Sequence, residues 1–286
     1  MPAEVAPTVL KVTFRKPAKF GDHIVAPIQT FKMPKDKALL EKLKEITAKW
    51  KEDASKREQI AIANDMSSEK QQVAVDCCTM ADAIWDGFVD NDDDDITLIA
   101  VNRTNNEIQG IAAYYEDNGP TLARMGVCPS NIDLLAKDQP TRGTGTALIA
   151  HIFEDVKKDN RDLDIHSTYS AIPFYRHIGF HQRLRGCSLV ISRANLSEFE
   201  KLGWEKKGET GEGSSVNIRI SASNFEKLSA QDKQKLKDQP SFNNYDQIQP
   251  DDVIPMEITA EKREVFLKSH PASGYEEASI DISKLQ

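Results

Sequence analysis

Arg142-Gly143-Thr144-Gly145-Thr146-Ala147-Leu148 runs directly into Ile149-Ala150-His151-Ile152-Phe153-Glu154-Asp155-Val156. Leu148, Ile149, Ile152, Phe153 and Val156 recur at helical spacing, while Glu154, Asp155, Lys157 and Lys158 fall elsewhere, so residues 143–158 are expected to form an amphipathic helix. Glycines at its start let the chain turn tightly. They also leave successive N–H groups uncovered at the positive end of the helix dipole, an arrangement suited to phosphate. Taken alone, a short Gly-x-Gly is equally a plain helix-start turn. Two other phosphate loops are ruled out. A Walker loop needs Gly-Lys-Ser/Thr after its spacer, and none is present. A dinucleotide fingerprint needs a third small residue where Leu148 stands.

Outward from this helix the pattern is mixed. Ile132 to Lys137 is a short strand candidate before the loop. Leu163 to Ser167 reads as a strand after the helix, and 171–178 as a short helix stopped by Gly179, a good C-cap residue. Upstream, Ile96–Val101 and Ile108–Tyr115 form a hairpin pattern, and Leu122 to Val127 extends the same sheet. Helical periodicity covers 35–53 and 69–89, and Val9–Phe14 and His23–Val25 are strand-like. This order predicts an α/β (α+β) sandwich, a mostly antiparallel mixed sheet flanked by helices, over residues 8–195. Residues 196–286 read as a C-terminal extension. Leu196–Trp204 and Phe225–Lys237 look helical, Val216–Ser221 strand-like and Gly208–Ser215 loop-like, and the tail after Gln239 is polar with little to build a core.

Composition narrows the function classes. Hydrophobic residues are 39% and charged residues 29% of the 286, as in soluble globular chains. No apolar run suits a membrane helix, and the start, Met1-Pro2-Ala3-Glu4, lacks the basic and apolar regions of a signal peptide. A cytoplasmic location is expected. The net charge of −8 argues against a general nucleic-acid binder and mildly favours a cationic partner such as an amine. Cys77, Cys78, Cys128 and Cys187 show no zinc spacing and are read as reduced thiols. The acidic run Asp90–Asp95 lacks the glycine and glutamate of a calcium loop and reads as a solvated turn, so no metal is expected.

The glycine loop is followed by Ala171-Ile172-Pro173-Phe174-Tyr175-Arg176-His177-Ile178-Gly179-Phe180. Together the two segments resemble the GNAT superfamily of N-acetyltransferases. That family carries Arg/Gln-x-x-Gly-x-Gly/Ala at its central helix, met here by Arg142, Gly145 and Ala147. It then carries Ala-x-x-Phe-Tyr-x-x-x-Gly-Phe, met by Ala171, Phe174, Tyr175, Gly179 and Phe180.

The resemblance implies acetyl-CoA as co-substrate and an amine acceptor, small molecule or protein, with no nucleic acid or membrane partner. The loop Arg142, Gly143, Thr144, Gly145, Thr146 and Ala147 would hold the coenzyme pyrophosphate. The strand edge at Leu135, Ala136 and Lys137 would pair with the pantetheine amides. Tyr175 would protonate the leaving thiolate and Asp133 would take the amine proton. Glu116, Asp117 and His166 are rival bases. Thr168 stands where the family often has an asparagine that touches the coenzyme. Each role has a plainer reading: Tyr175 as a packing aromatic, Asp133 as a solvated strand-edge carboxylate, His166 as a packed side chain and His177 as a surface residue. An alternative for the whole chain is a GNAT-fold binding or regulatory protein without catalysis.

Overall fold

The computed structural model describes residues 8–17, 28–64, 71–77, 79–80, 83, 96–116, 119–128, 143–182, 188–210, 215–220, 224, 227–237 and 254–286. They form two compact units, residues 1–165 with 260–286, and residues 166–259. The boundary expected at residue 195 therefore falls inside the second unit, and the expected extension 196–286 is divided between the two.

The first unit is a sheet with helices on both faces. Its strands are β1 (Val9–Pro17), β2 (Ile28–Lys32), β3 (Ile96–Asn102), β4 (Glu107–Tyr115), β5 (Thr121–Val127) and β6 (Leu163–Ser167, of which Leu163–Ile165 belong here). Its helices are α1 (Lys37–Ala63) and α2 (Thr144–Asp155). Neighbours pair antiparallel from β1 through β5, and β5 pairs parallel with β6. The mostly antiparallel mixed sheet expected from the sequence is thus present. The hairpin forms as read, and Leu122–Val127 lies within the strand β5. The strand expected at His23–Val25 lies outside the described residues, and β2 occupies Ile28–Lys32 instead.

Side chains alternate across a strand, which decides what each helix covers. Phe14, Phe31, Ile99 and Ile111 pack with Leu39, Leu43, Ile46 and Trp50 of α1 in one buried cluster. Phe14 and Phe31 meet edge to face at 5.2 Å. Asp36 caps α1 by accepting from the Leu39 N–H at 2.9 Å. On the opposite face Thr30 and Gly110 meet α2. Leu148, Ile149, Ile152 and Phe153 of α2 are buried, as their periodicity predicted. Beyond α1, residues 71–77 are helical, and the rest of the expected 69–89 helix is only partly described.

The tail is the largest departure from expectation. Past the second unit in the chain, the tail forms α6 (Ala260–Ser269) and β12 (Ala272–Asp281). β12 pairs antiparallel with β1 from Val9↔Asp281 to Lys16↔Gly274. Ile280, Ile282 and Leu285 enter the α1-side core. On the other side Phe266 meets Phe153 edge to face at 5.3 Å. Arg263, buried, donates to the carbonyl oxygens of Asp159 at 2.6 Å and Arg161 at 2.8 Å. The tail is folded because β1 supplies its partner; its own residues carry little of that signal.

The second unit holds α3 (Ile172–Ile178), β7 (His181–Gln182), β8 (Ser188–Ser192), α4 (Leu196–Lys201), β9 (Trp204–Thr210), β10 (Ser215–Ile220), α5 (Ala230–Lys237) and β11 (Ile254–Ile258). Gly179 ends α3 in the left-handed region at φ 114°, and its N–H and that of Phe180 both reach the Tyr175 carbonyl. β7 and β11 pair antiparallel, Gln182 opposite Met256. Between them in sequence lies a separate three-stranded sheet, β8-β10-β9, whose core is Trp204, Val216, Ile218 and Ile220. β9 runs to Thr210 and β10 starts at Ser215, so both ends of the loop expected at Gly208–Ser215 are strand, and 211–214 lie outside the described residues. Among the described residues no helix is long and apolar enough to cross a membrane, and no group of three or more His, Cys, Asp or Glu is placed to hold a metal.

Candidate active site

The glycine loop ends as a helix cap. Gly143 sits at φ 105°, a region a side chain would strain, and no side chain caps α2. The first intrahelical bond runs from the Ala147 N–H to the Gly143 carbonyl at 2.8 Å. The N–H groups of Thr144, Gly145 and Thr146 therefore lie in the first turn without an intrahelical acceptor. Gly145 and Thr146 are half-buried, whereas Thr144 and Ala147 are buried against the sheet. Among the described residues, this is a helix N-terminus whose first N–H groups are available to an anion.

Its height over the sheet is set by Gly110. A Cβ there would stand 2.7 Å from Thr144 Cγ2 and 3.1 Å from both Leu148 Cδ1 and the Gly126 carbonyl oxygen. We expect Gly110→Ala to cost roughly 1–3 kcal/mol through overpacking, read as a lower urea midpoint with an unchanged slope. An unchanged midpoint would show that α2 is not seated so closely.

The neighbouring strand β5 carries a register shift against β4. Ala113 pairs with Arg124 and Tyr114 with Leu122, so Ala123 is an extra residue, a β-bulge. The parallel ladder to β6 covers Thr121↔Asp164 and Leu122↔Ile165 and stops there, while β5 continues to Val127. The bulge and the end of the ladder coincide.

At the far end of α2 lies a buried polar group. His151 Nδ1 is 2.8 Å from Thr30 Oγ1. The Tyr114 hydroxyl donates to Asp155 Oδ2 at 2.5 Å, and Lys32 Nζ lies 3.2 Å from the same oxygen. Burial, then the Asp155 carboxyl, raises the Tyr114 pKa, so its proton stays in place. Burial lowers His151 to about 4; Asp155 opposes this, and Arg15 and Lys32 reinforce it. Arg15 is 0% exposed and none of its side-chain nitrogens makes a well-formed hydrogen bond among the described residues. Burial lowers its pKa, and Tyr275, Glu154 and Asp155 offset this electrostatically.

In the second unit Tyr175 is 6% exposed, in edge-to-face contact with Phe174 at 5.0 Å and Phe180 at 5.4 Å. Burial raises its pKa, so the hydroxyl keeps its proton. Thr168 is half-buried, and its carbonyl accepts from Ala171 N–H and Ser167 Oγ. His166 and His177 are exposed. In the first unit the Glu116 carbonyl accepts from Arg161 Nη2. Asp117, Asp133, Leu135, Ala136, Lys137 and Arg142 lie outside the described residues.

Sequence reading missed Gly110, Tyr114 and the polar end of α2. Two signals were there. A glycine inside a strand marks close backbone approach. His151 and Asp155, four apart on a helix otherwise buried by apolar residues, share one face.

No family model and no curated protein sequence matches the chain. Among solved structures it resembles an acetyltransferase from Bacillus subtilis in complex with CoA, at 14% identity and TM-score 0.27, over 48% of this chain and 82% of that one. It also resembles the PaiA N-acetyltransferase from Thermoplasma acidophilum in complex with coenzyme A, at 14% identity and TM-score 0.29, over 68% and 98%. An IAA acetyltransferase from Bacillus cereus overlaps at 14% identity and TM-score 0.25, over 50% and 81%. Overlaps this partial assign no residue and no acceptor.

Proposed function

We propose that the chain is an acyl-CoA-dependent N-acyltransferase that moves an acetyl group from acetyl-CoA to a primary amine in a ternary complex. The observation that carries this is the open first turn of α2, with Gly143 left-handed and three N–H groups free of intrahelical bonds. Gly143–Ala147, with Arg142, would hold the pyrophosphate. We propose Met125–Val127 as a pantetheine-pairing edge beside Leu135, Ala136 and Lys137, which lie outside the described residues. Support comes from the bulge at Ala123 and from the ladder to β6 ending at Leu122, short of these residues. A coenzyme lying there would continue the sheet through its amides.

In the reaction the amine nitrogen attacks the thioester carbonyl, the C–N bond forms, the C–S bond breaks and the thiolate leaves. A strand N–H steadies the oxyanion. Tyr175 donates to the leaving sulfur. Its raised pKa sharpens that role: a proton held more tightly than a thiolate would hold it stays mainly on the phenol, so Tyr175 acts first as a hydrogen-bond donor. The proton balance closes through the amine, whose proton passes to a base, Asp133 being our choice. Thr168 would touch the coenzyme.

Calorimetric titration of acetyl-CoA tests the reading. The wild type should bind, and Gly145→Glu, which puts bulk and negative charge into the loop, should lose binding altogether. Tyr175→Phe should keep coenzyme binding and lose about 10²–10³-fold in turnover, as removal of one stabilising donor does. Absence of binding by the wild type would remove the acyltransferase reading; binding without turnover on any amine would favour a non-catalytic module.

A further inference from the structure

We infer that the buried polar group at the C-terminal end of α2 is a positioning lock that fixes how the phosphate loop at the other end faces its ligand. The inference rests on the coenzyme reading above and names positioning residues for that site.

Thr144, Leu148, His151 and Asp155 form one stripe along α2, spaced four, three and four residues apart. All four meet the sheet. Thr144 and Leu148 close on Gly110 of β4. His151 reaches Thr30 on β2, and Asp155 reaches Tyr114 on β4 and Lys32 on β2. β3 runs between β2 and β4, so the polar bonds grip strands on both sides of it.

Apolar packing is non-directional, so contact with Gly110 sets the height of the helix but fixes its roll and slide less sharply than directed bonds do. Hydrogen bonds have narrow angular tolerance. Buried polar groups inside an otherwise apolar interface are best attested as devices that set register. Here the two bonded residues lie one turn apart and their partners lie on different strands, so roll and slide are both fixed. A rigid helix carries that setting to its first turn. The N–H groups of Thr144, Gly145 and Thr146 then keep one direction before any ligand arrives, which lowers the ordering cost of binding.

The test uses the full chain with Tyr114→Phe and Thr30→Val, each of which removes one bond and little volume, and Asp155→Asn as a stronger change. Two readouts are taken at 25 °C on variants that remain folded by near-ultraviolet circular dichroism. The first is the Kd for CoA. The second is amide hydrogen exchange along α2 without ligand. We expect Kd to rise about tenfold or more, and exchange to quicken at Ala147–Ile149, the first hydrogen-bonded amides of the helix, as well as near Asp155. Quickened exchange confined to residues 151–158, with Kd unchanged, would overturn the lock. Should the wild type not bind CoA, the coenzyme reading fails by itself and the exchange at Ala147–Ile149 still decides the lock.

Discussion

A chain ended at Thr259 should fail to fold its first unit. The lost segment holds α6 and β12, which lie far in sequence from what they cover. Phe266, Leu267, Ile280, Ile282 and Leu285 are all buried. At ~1.5–3 kcal/mol for each such side chain, their removal takes away an amount comparable to the whole stability of a domain, about 5–15 kcal/mol. The loss is not apolar alone. β1 would lose its ladder from Val9 to Lys16 and become an exposed edge. The Asp159 and Arg161 carbonyls would lose the Arg263 guanidinium, and with it the brace on the turn after α2. The Ile108 N–H would lose the Gln286 carbonyl. The expected result is an aggregated chain, or one without a cooperative urea transition. A truncated chain that unfolds cooperatively at the full-length midpoint would show that the tail is dispensable. Phe266→Ala, expected to cost about 3–5 kcal/mol, gives the same answer in graded form.

Acid should weaken the fold through His151 before the carboxylates titrate. The imidazole is buried and neutral, with its pKa lowered to about 4 from an ordinary 6.5. Between those values the unfolded chain binds a proton that the folded chain does not. Unfolding is therefore favoured as pH falls through 6.5 towards 4. His151 leaves stability unaffected above 6.5 and exacts its full penalty below about 4. At 1.36 kcal/mol per tenfold change, the whole gap is about 3 kcal/mol, of which about 2 kcal/mol falls between pH 7 and pH 5. Urea unfolding at pH 7, 6 and 5 reads the slope directly. In a His151→Gln variant that still folds, most of this fall should vanish over the same interval. Equal slopes in both proteins would place the acid sensitivity elsewhere.

These two expectations rest on parts of the fold that differ in how legible they were. The helix at 144–155 was readable because apolar spacing and a glycine start agree locally. The same holds for the α3 stop at Gly179, where a left-handed residue is needed and glycine supplies it. The hairpin of β3 and β4 was readable because both strands alternate or run apolar around a polar turn. Such features need only near neighbours in sequence.

The rest depended on partners the chain brings in from far away. β12 is polar on most positions because an edge strand offers one face to the core, and its pairing is made by backbone groups that every residue carries. Gly110 reads as a weak strand residue until Thr144 and Leu148 are seen 2.7 and 3.1 Å from its missing side chain. The bulge at Ala123 is a mismatch of two strands and belongs to neither sequence alone. The amino-acid sequence thus determined the glycine-led helix, the aromatic segment around Tyr175 and the mixed sheet class, since local periodicity and backbone preference suffice for them. Tertiary structure alone decided that the chain's last residues complete the first unit, and that His151 and Asp155 meet Thr30 and Tyr114, because burial and pairing there come from residues about a hundred or more positions apart in part and forty in the rest.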